Sequence, residues 1–269
     1  MIAYRSFQLW RRRRRIGLLH IYVAFMFLIL FFPLLVLVLF SFAKNGDLRF
    51  PITGLTLSWY RIVFSDSSVL SGIRASLAVA VAVGLVVTCI GTPAVTLLSR
   101  HRFKGAGLVT ALILIPAALP GLVIGVALLN LFGDIHTTLS LETVTVGQIV
   151  YCIPFFYLIM SARLRRFDRT LEDVATDLGA GPLQRFRRVT APLTAPAILG
   201  AALVVLALSW DEFQITFFTI GDQNTLPLVI WSRARRVIDP SVNAIGTLMI
   251  AGSLVIVLIT RRFIADSYS

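Results

Sequence analysis

The chain is 269 residues long, 57% hydrophobic and only 14% charged, with a mean hydropathy of +0.87. So much apolar side chain exceeds what a water-soluble fold of this length buries, which excludes a soluble enzyme or binding module and places the chain in a lipid bilayer. The formal charge of +12 reads as topology rather than nucleic-acid binding, because Lys and Arg resist translocation and stay on the cytoplasmic side.

In chain order, a basic segment of residues 1–15, with Arg5 and Arg11 to Arg15, comes first and is expected to lie against anionic lipid in the cytoplasm. Six charge-free stretches follow: Ile21–Ser41, Ala75–Ser99, Gly105–Gly133, Thr143–Ala162, Val189–Trp210 and Ser241–Thr260. Each is near or above the roughly 20 residues that cross the hydrocarbon core. Backbone groups find no water there, so each crossing is predicted to be an α-helix. Ser41-Phe42-Ala43 lacks a small-x-small cleavage pattern, and the first helix is expected to stay as an anchor. The loop from Ala43 to Gly72 carries Leu57-Ser58-Trp59-Tyr60, whose two rings read as an interfacial belt.

With the N-terminus inside, 18 of the 25 Lys and Arg fall on the cytoplasmic side. They are Arg5, Arg11 to Arg15, Arg100, Arg102, Lys104, Arg163, Arg165, Arg166, Arg169, Arg185, Arg187, Arg188, Arg261 and Arg262. Both termini are therefore expected in the cytoplasm, including the short tail 265–269. The prediction is an all-α integral membrane protein with six transmembrane helices in a single membrane domain, residues 16–264, multi-pass in a bacterial plasma (inner) membrane.

Several chemistries find no support. There is no G-x-x-x-x-G-K-[ST] phosphate cradle, so the chain is not expected to hydrolyse ATP itself. His20, His101 and His136 are scattered, and Cys89 and Cys152 are isolated, so no metal site or disulfide framework is expected. No G-x-S-x-G elbow marks a hydrolase.

The loop 163–192 is the most informative stretch. Leu171–Leu178 should form about two turns, with Glu172 and Asp173 near the positive end of the helix dipole. Gly179 should end that helix in a left-handed conformation, and Pro182 should start the next turn. The product is a short rigid knob that another protein can grip.

A second constellation, Ser209-Trp210-Asp211-Glu212-Phe213, is placed at the outer end of the fifth crossing. Carboxylates in a membrane segment cost about 2.5–3.5 kcal/mol each at the centre, so they normally face water or a partner. Continuous helical spacing puts Ser209, Glu212, Phe213 and Thr216 on one face, and Asp211 and Gln214 on the next. Either a carboxylate, helped by Trp210 or Phe213, meets a cationic solute, or the pair forms an inter-subunit salt bridge or gate. Arg233, Arg235 and Arg236 near the outer mouth would repel a polycation; they grip acidic residues of another protein, pair with Asp239, or attract an anionic or zwitterionic solute.

The loop resembles the EAA motif of ABC importer permeases, E-A-A-x-x-x-G-x9-I-x-L-P. It falls on Asp173, Val174, Ala175, Gly179, Val189, Ala191 and Pro192, of which Ala175, Gly179 and Pro192 match. Supporting stretches are Arg102-Phe103-Lys104-Gly105, Pro116 with Pro120, Gly125-Val126-Ala127, Ser209 to Phe213, Leu226-Pro227, Ser232, Pro240 and Asn243-Ala244. The resemblance runs from about Trp59 to Leu258 and is closest to the spermidine/putrescine group.

It implies a type I importer fold and a set of partners: two ATP-binding subunits that hold ATP and Mg, a second, non-identical permease, and an extracytoplasmic solute-binding protein. No cofactor is implied in this chain. It further implies ATPase coupling through Glu172, Asp173, Ala175, Asp177, Gly179, Pro182 and Pro192, and a solute pathway at Trp210, Asp211, Glu212 and Phe213. Polyamines are the implied cargo, with an aminoalkylphosphonate-like solute as the alternative. An ion-coupled secondary carrier is the remaining rival, although it usually shows internal repeats and has no use for a cytoplasmic knob.

Overall fold

A computed structural model describes residues 2–44, 50–100, 103–235 and 240–265, with side chains over those ranges from residue 17 to residue 261. All regular structure among the described residues is helical, apart from one isolated bridge between Ala43 and Leu55. The helices are α1 (Ile2–Ser41), α2 (Ser58–Ser65), α3 (Ser67–Arg100), α4 (Ala106–Ala118), α5 (Gly121–Asp134), α6 (Leu141–Arg165), α7 (Thr170–Asp177), α8 (Pro182–Arg185), a π-helical turn Phe186–Thr190, α9 (Ala191–Trp210), α10 (Gln214–Thr219), α11 (Leu226–Ala234) and α12 (Ser241–Ala265). Among the described residues, five single segments are long and apolar enough to cross a bilayer: Gly17–Ser41, Ser67–Arg100, Leu141–Arg165, Pro182–Trp210 and Ser241–Arg261.

The third expected crossing departs from the prediction. Gly105–Gly133 is two helices, α4 and α5, bent by 107°. Pro120 has no N–H to donate and forces Leu119 out of the helical region, to φ −94° and ψ 139°. Neither half alone reaches the roughly 20 residues of a full span. The backbone freed at the start of α5 is partly satisfied by a side chain, since Leu122 N–H donates to Gln214 Oε1 at 3.2 Å. With the bent pair taken as one span, the crossings number six.

The chain packs as two units, one of Met1–Val63 with Ile238–Thr247 and one of Phe64–Val237 with Leu248–Ser269. In the first, Trp59 Nε1 donates to Ala43 O at 2.8 Å, and Tyr60 hydroxyl lies 2.7 Å from Ser41 Oγ. The two rings expected to form an interfacial belt thus fasten α2 to the end of α1.

In the second unit, α3, α6 and α9 form the core around Val83, Val87, Phe156, Met160 and Val205. Gly91 allows α3 to approach α6 closely: a Cβ there would stand 2.6 Å from the Phe156 ring. Helix α6 starts on a capping box, in which Ser140 Oγ accepts from Glu142 N–H and Thr143 Oγ1 accepts from Ser140 N–H.

Candidate functional site: the coupling loop and the membrane cavity

Helix α7 forms one residue ahead of the predicted Leu171–Leu178. Asp168 precedes it and accepts the Thr170 N–H at 3.0 Å; hydrogen bonding from Thr170 holds its carboxyl below the usual carboxylate range. At the other end Gly179 takes φ 84°, Gly179 N–H reaches Thr176 O and Ala180 N–H reaches Ala175 O, both at 2.9 Å. Those two bonds are the Schellman closure that a left-handed glycine permits. Pro182 then opens α8.

The side chains divide sharply. Asp173, Asp177, Gly179, Pro182 and Pro192 are exposed and Ala175 is half-buried. Glu172, by contrast, is buried: Thr190 Oγ1 donates to its Oε1 at 2.6 Å, and Arg100 Nε lies 2.8 Å from its Oε2. It ties α7 to the end of α3 and to the π-helical turn, instead of standing on a free face of the knob. Arg169 adds a bond from Nη2 to Ser99 O at 3.1 Å. Exposed apolar side chains, Leu171, Val174 and Leu178, cover the knob, with Leu178 83% exposed.

Helical faces around the second constellation differ from the prediction. Helix α9 ends at Trp210, residues 211–213 are not helical, and α10 starts at Gln214. The break directly follows the crossing Pro182–Trp210, at the end of the helix as expected. Ser253 Oγ donates to both Asp211 carboxylate oxygens at 3.1 Å, and Ser253 is twelve residues into α12, which is about 18 Å along the helix.

Glu212 is buried and turns back on its own chain. Its Oε1 accepts from Ile215 N–H at 2.7 Å, and its Oε2 accepts from Thr216 N–H at 2.9 Å and Thr216 Oγ1 at 2.8 Å. A carboxylate at a helix start satisfies orphan N–H groups and complements the dipole. The network continues to α6, where Gln148 Nε2 donates to Thr216 Oγ1 at 2.9 Å and Gln148 Oε1 accepts from Ser209 Oγ. Ser209, Glu212 and Thr216 are therefore joined as expected, but through a helix break, with Phe213 elsewhere.

Asp211 lines an open cavity of about 1050 Å³, on whose wall Glu212 also stands. Tyr151, Leu208, Phe213, Gln214 and Thr260 share the wall, and Arg261 stands on it too, eight residues beyond Ser253, which is about 12 Å further along α12. Phe213 also packs on Phe217 and Trp231 at ring distances of 5.6 and 5.3 Å. Trp210 does not join this wall. It is buried, and a Cβ on Gly252 would lie 3.3 Å from its ring.

The arginines near the last loop also resolve in part. Arg233 Nη2 pairs with Asp66 Oδ2, linking α11 to the start of α3, and this guanidinium holds the Asp66 carboxyl below its ordinary range. Arg235 lies 4.6 Å over the Trp231 ring. Arg236, its expected partner Asp239, and Arg102 lie outside the described residues, as do the side chains of Arg5 and Arg11 to Arg15.

Sequence reasoning missed Arg100, Thr190, Gln148 and Ser253. All four act across helices, and only the pattern Asp168-Arg169-Thr170 leaves a local trace, for the cap that Asp168 supplies.

The chain thus combines membrane-crossing helices, a helix break with a carboxylate on a cavity, and a compact loop that carries exposed apolar side chains. The sequence profile of the binding-protein-dependent transport system inner membrane component matches residues 80–266. The putrescine transport system permease protein PotI of Escherichia coli K12 is 31% identical over 232 residues, 83% of this chain and 82% of the relative. The spermidine/putrescine transport system permease protein PotC of Haemophilus influenzae is 30% identical over 249 residues, 89% and 96% of the two chains.

Among solved structures, the fold matches a bacterial ABC transporter involved in import of the acidic polysaccharide alginate (TM-score 0.73, 16% identity, 93% of this chain and 96% of that one). It also matches the MetNI methionine ABC transporter (TM-score 0.63, 17% identity, 79% and 99%). The chain belongs to the binding-protein-dependent transport system inner membrane component family. It is a permease subunit of an ABC importer, multi-pass in the inner membrane.

Proposed function

We propose that this permease carries a small cationic amine of the putrescine and spermidine type, and that a separate ATPase drives it through the loop 163–192. The observation that carries the reading is Asp211: a carboxylate on the wall of a largely apolar cavity, beside the rings of Tyr151 and Phe213. An ammonium there gains charge-assisted hydrogen bonding and a cation-π contact. The names of PotI and PotC support polyamine cargo. The pairing of Arg233 with Asp66 reduces the repulsion that the arginines near the last loop would exert on a polycation.

In this reading Asp211 and Phe213 meet the solute, Glu212 fixes the start of α10, and Trp210 packs α12. On the cytoplasmic side, where the positive-inside distribution places loop 163–192 and both termini, the exposed apolar knob sits in a cleft of the ATPase. Asp173 and Asp177 face that partner, the turns at Gly179, Pro182 and Pro192 keep the knob rigid, and half-buried Ala175 seats it. Glu172 passes its movement to α3 through Arg100 and to α9 through Thr190. Two such ATPase subunits bind ATP and Mg, a second, non-identical permease completes the pathway, and an extracytoplasmic binding protein delivers the solute.

Arg261 on the same cavity favours a second cargo, a zwitterion such as an aminoalkylphosphonate whose amine meets Asp211 and whose anion meets Arg261. Solute-stimulated ATPase in the full complex tests the site. Asp211→Asn weakens the dependence on polyamine by roughly tenfold to a hundredfold, the loss of one hydrogen bond to a charged group. An unchanged solute dependence removes Asp211 from the pathway.

A further inference from the structure

Arg100, at the C-terminal end of α3, is an anomaly. Its side chain is only 9% exposed, yet among the described residues neither Nη1 nor Nη2 has a hydrogen-bond partner, and its Nε makes an ion pair with Glu172 without a directed hydrogen bond. The guanidinium lies 5.2 Å over the Phe167 ring, which fixes the plane of the fork and supplies no acceptor. Buried polar groups normally find partners, so two unmatched guanidinium amino groups point to an acceptor from outside these residues.

Arg100, with its amino groups covered, is one of the residues lining a crevice of about 250 Å³ between the last turns of α3 and the α8 to π-turn segment. Pro93 and Leu97 of α3 form one wall, and Leu183 and Phe186 form the other. Pro93 and Leu97 belong to the apolar crossing Ser67–Arg100, and Leu97 is exposed. Arg185 reaches the same crevice and commits an Nη1–H to Thr176 Oγ1 at 2.8 Å, one of several donors that a guanidinium carries. Glu172, the acid on the lining, is engaged by Thr190 and Arg100.

We propose that this crevice binds the phosphodiester headgroup of an anionic membrane lipid. The Arg100 fork and Arg185 hold the phosphate oxygens, and an acyl chain follows Pro93 and Leu97 into the bilayer. Three features on the chain favour a lipid over a water-soluble anion: the wall on α3 is apolar, it is continuous with a membrane crossing, and Arg100 ends that crossing at the headgroup layer. A planar guanidinium suits bidentate contact with phosphate, and basic pockets between transmembrane helices are a known form of headgroup site. Because Arg100 also pairs with Glu172, an occupied site stiffens the link from α3 to the knob.

Native mass spectrometry of the full importer complex, purified from vesicles of phosphatidylcholine with phosphatidylglycerol, counts retained phosphatidylglycerol. Arg100→Gln, Arg185→Gln and Leu97→Glu each lower that occupancy by roughly tenfold, the scale of removing one charge-assisted hydrogen bond or adding one like charge. Arg100→Gln leaves Glu172 buried and unpaired and so risks the fold; Arg185→Gln and Leu97→Glu change exposed or partly exposed side chains and keep the test decisive. Arg165→Gln removes the same charge from a different exposed position and leaves occupancy unchanged. Equal loss from Arg165→Gln, full retention in Arg185→Gln and Leu97→Glu, displacement of the lipid by millimolar inorganic phosphate, or crosslinking of a protein chain into the crevice at Leu183 would each overturn the proposal.

Discussion

Two adjacent carboxylates, Asp211 and Glu212, differ in their hydrogen bonding, and Glu212→Gln tests the proposal that only Asp211 meets the solute. The Glu212 carboxylate accepts three hydrogen bonds, from Ile215 N–H, Thr216 N–H and Thr216 Oγ1. Glutamine keeps one acceptor oxygen and replaces the other with an NH2 group. If the oxygen stays on Ile215, that NH2 faces Thr216 N–H, donor to donor. Thr216 Oγ1 offers little relief, because it already accepts from Gln148 Nε2.

At about 1.5–3 kcal/mol for each hydrogen bond to a charged group, losing one to two of them destabilises the chain by roughly 1.5–6 kcal/mol. For a chain of this size that corresponds to a fall in Tm of roughly 3–24 °C, at about 2–4 °C per kcal/mol. Thermal unfolding of the purified complex, followed by the loss of the monodisperse peak, measures it. Asp211→Asn, whose carboxylate meets only Ser253 Oγ among the described residues, should shift Tm by less than about 2 °C, as surface-type changes do. An unchanged Tm in Glu212→Gln together with loss of solute dependence would refute the division of labour.

Other outcomes follow from the same geometry. Gly179→Val strains a residue at φ 84° with nothing near its side chain, costing about 1–2 kcal/mol locally; transport should fall sharply at near-normal protein levels, and wild-type transport would sink the coupling role. Glu172→Gln leaves the Arg100 cation buried without a counter-charge and should cost about 3–5 kcal/mol, read as faster hydrogen exchange across α7; exchange no faster than in exposed Asp173→Asn would contradict it. Asp66 has a depressed carboxyl, so its pairing with Arg233 is fully present above the ordinary aspartate range and is lost only as pH falls through the lower folded value. Exchange protection of α11 should therefore stay flat from pH 8 to about 5 and drop only in stronger acid, with Asp66→Asn showing the low-pH behaviour at all pH values. Gly91→Ala drives a methyl to 2.6 Å from the Phe156 ring, and overpacking of about 1–3 kcal/mol should lower Tm; a stabilised variant would mean α3 and α6 are farther apart than described.

What is legible in the sequence is whatever depends on local chemistry. Uninterrupted apolar length marks five single crossings, and the acid-rich turn closed by Gly179 and restarted by Pro182 marks the knob almost to the residue. The bend at Pro120 is legible in principle, since a proline lacks the N–H that a continuous helix needs, but apolar length alone reads straight through it. Partnership is not legible. Nothing in Ser209 to Phe213 says that α9 stops beside Ser253, forty-two residues later in the chain, or that Glu172 reaches back to Arg100. Helical spacing through residues 209–216 fails for the same reason: the helix is broken at 211–213, where Glu212 bonds the start of α10, and a periodic pattern assumes no break.

The most direct measurement is a photocrosslinker in place of Leu178, the most exposed apolar side chain of the knob, illuminated in native membrane vesicles. The account predicts capture of a nucleotide-binding polypeptide in high yield, with the crosslink changing on addition of ATP and vanadate. Recovery of lipid adducts alone, or of a protein that binds no nucleotide, would contradict it.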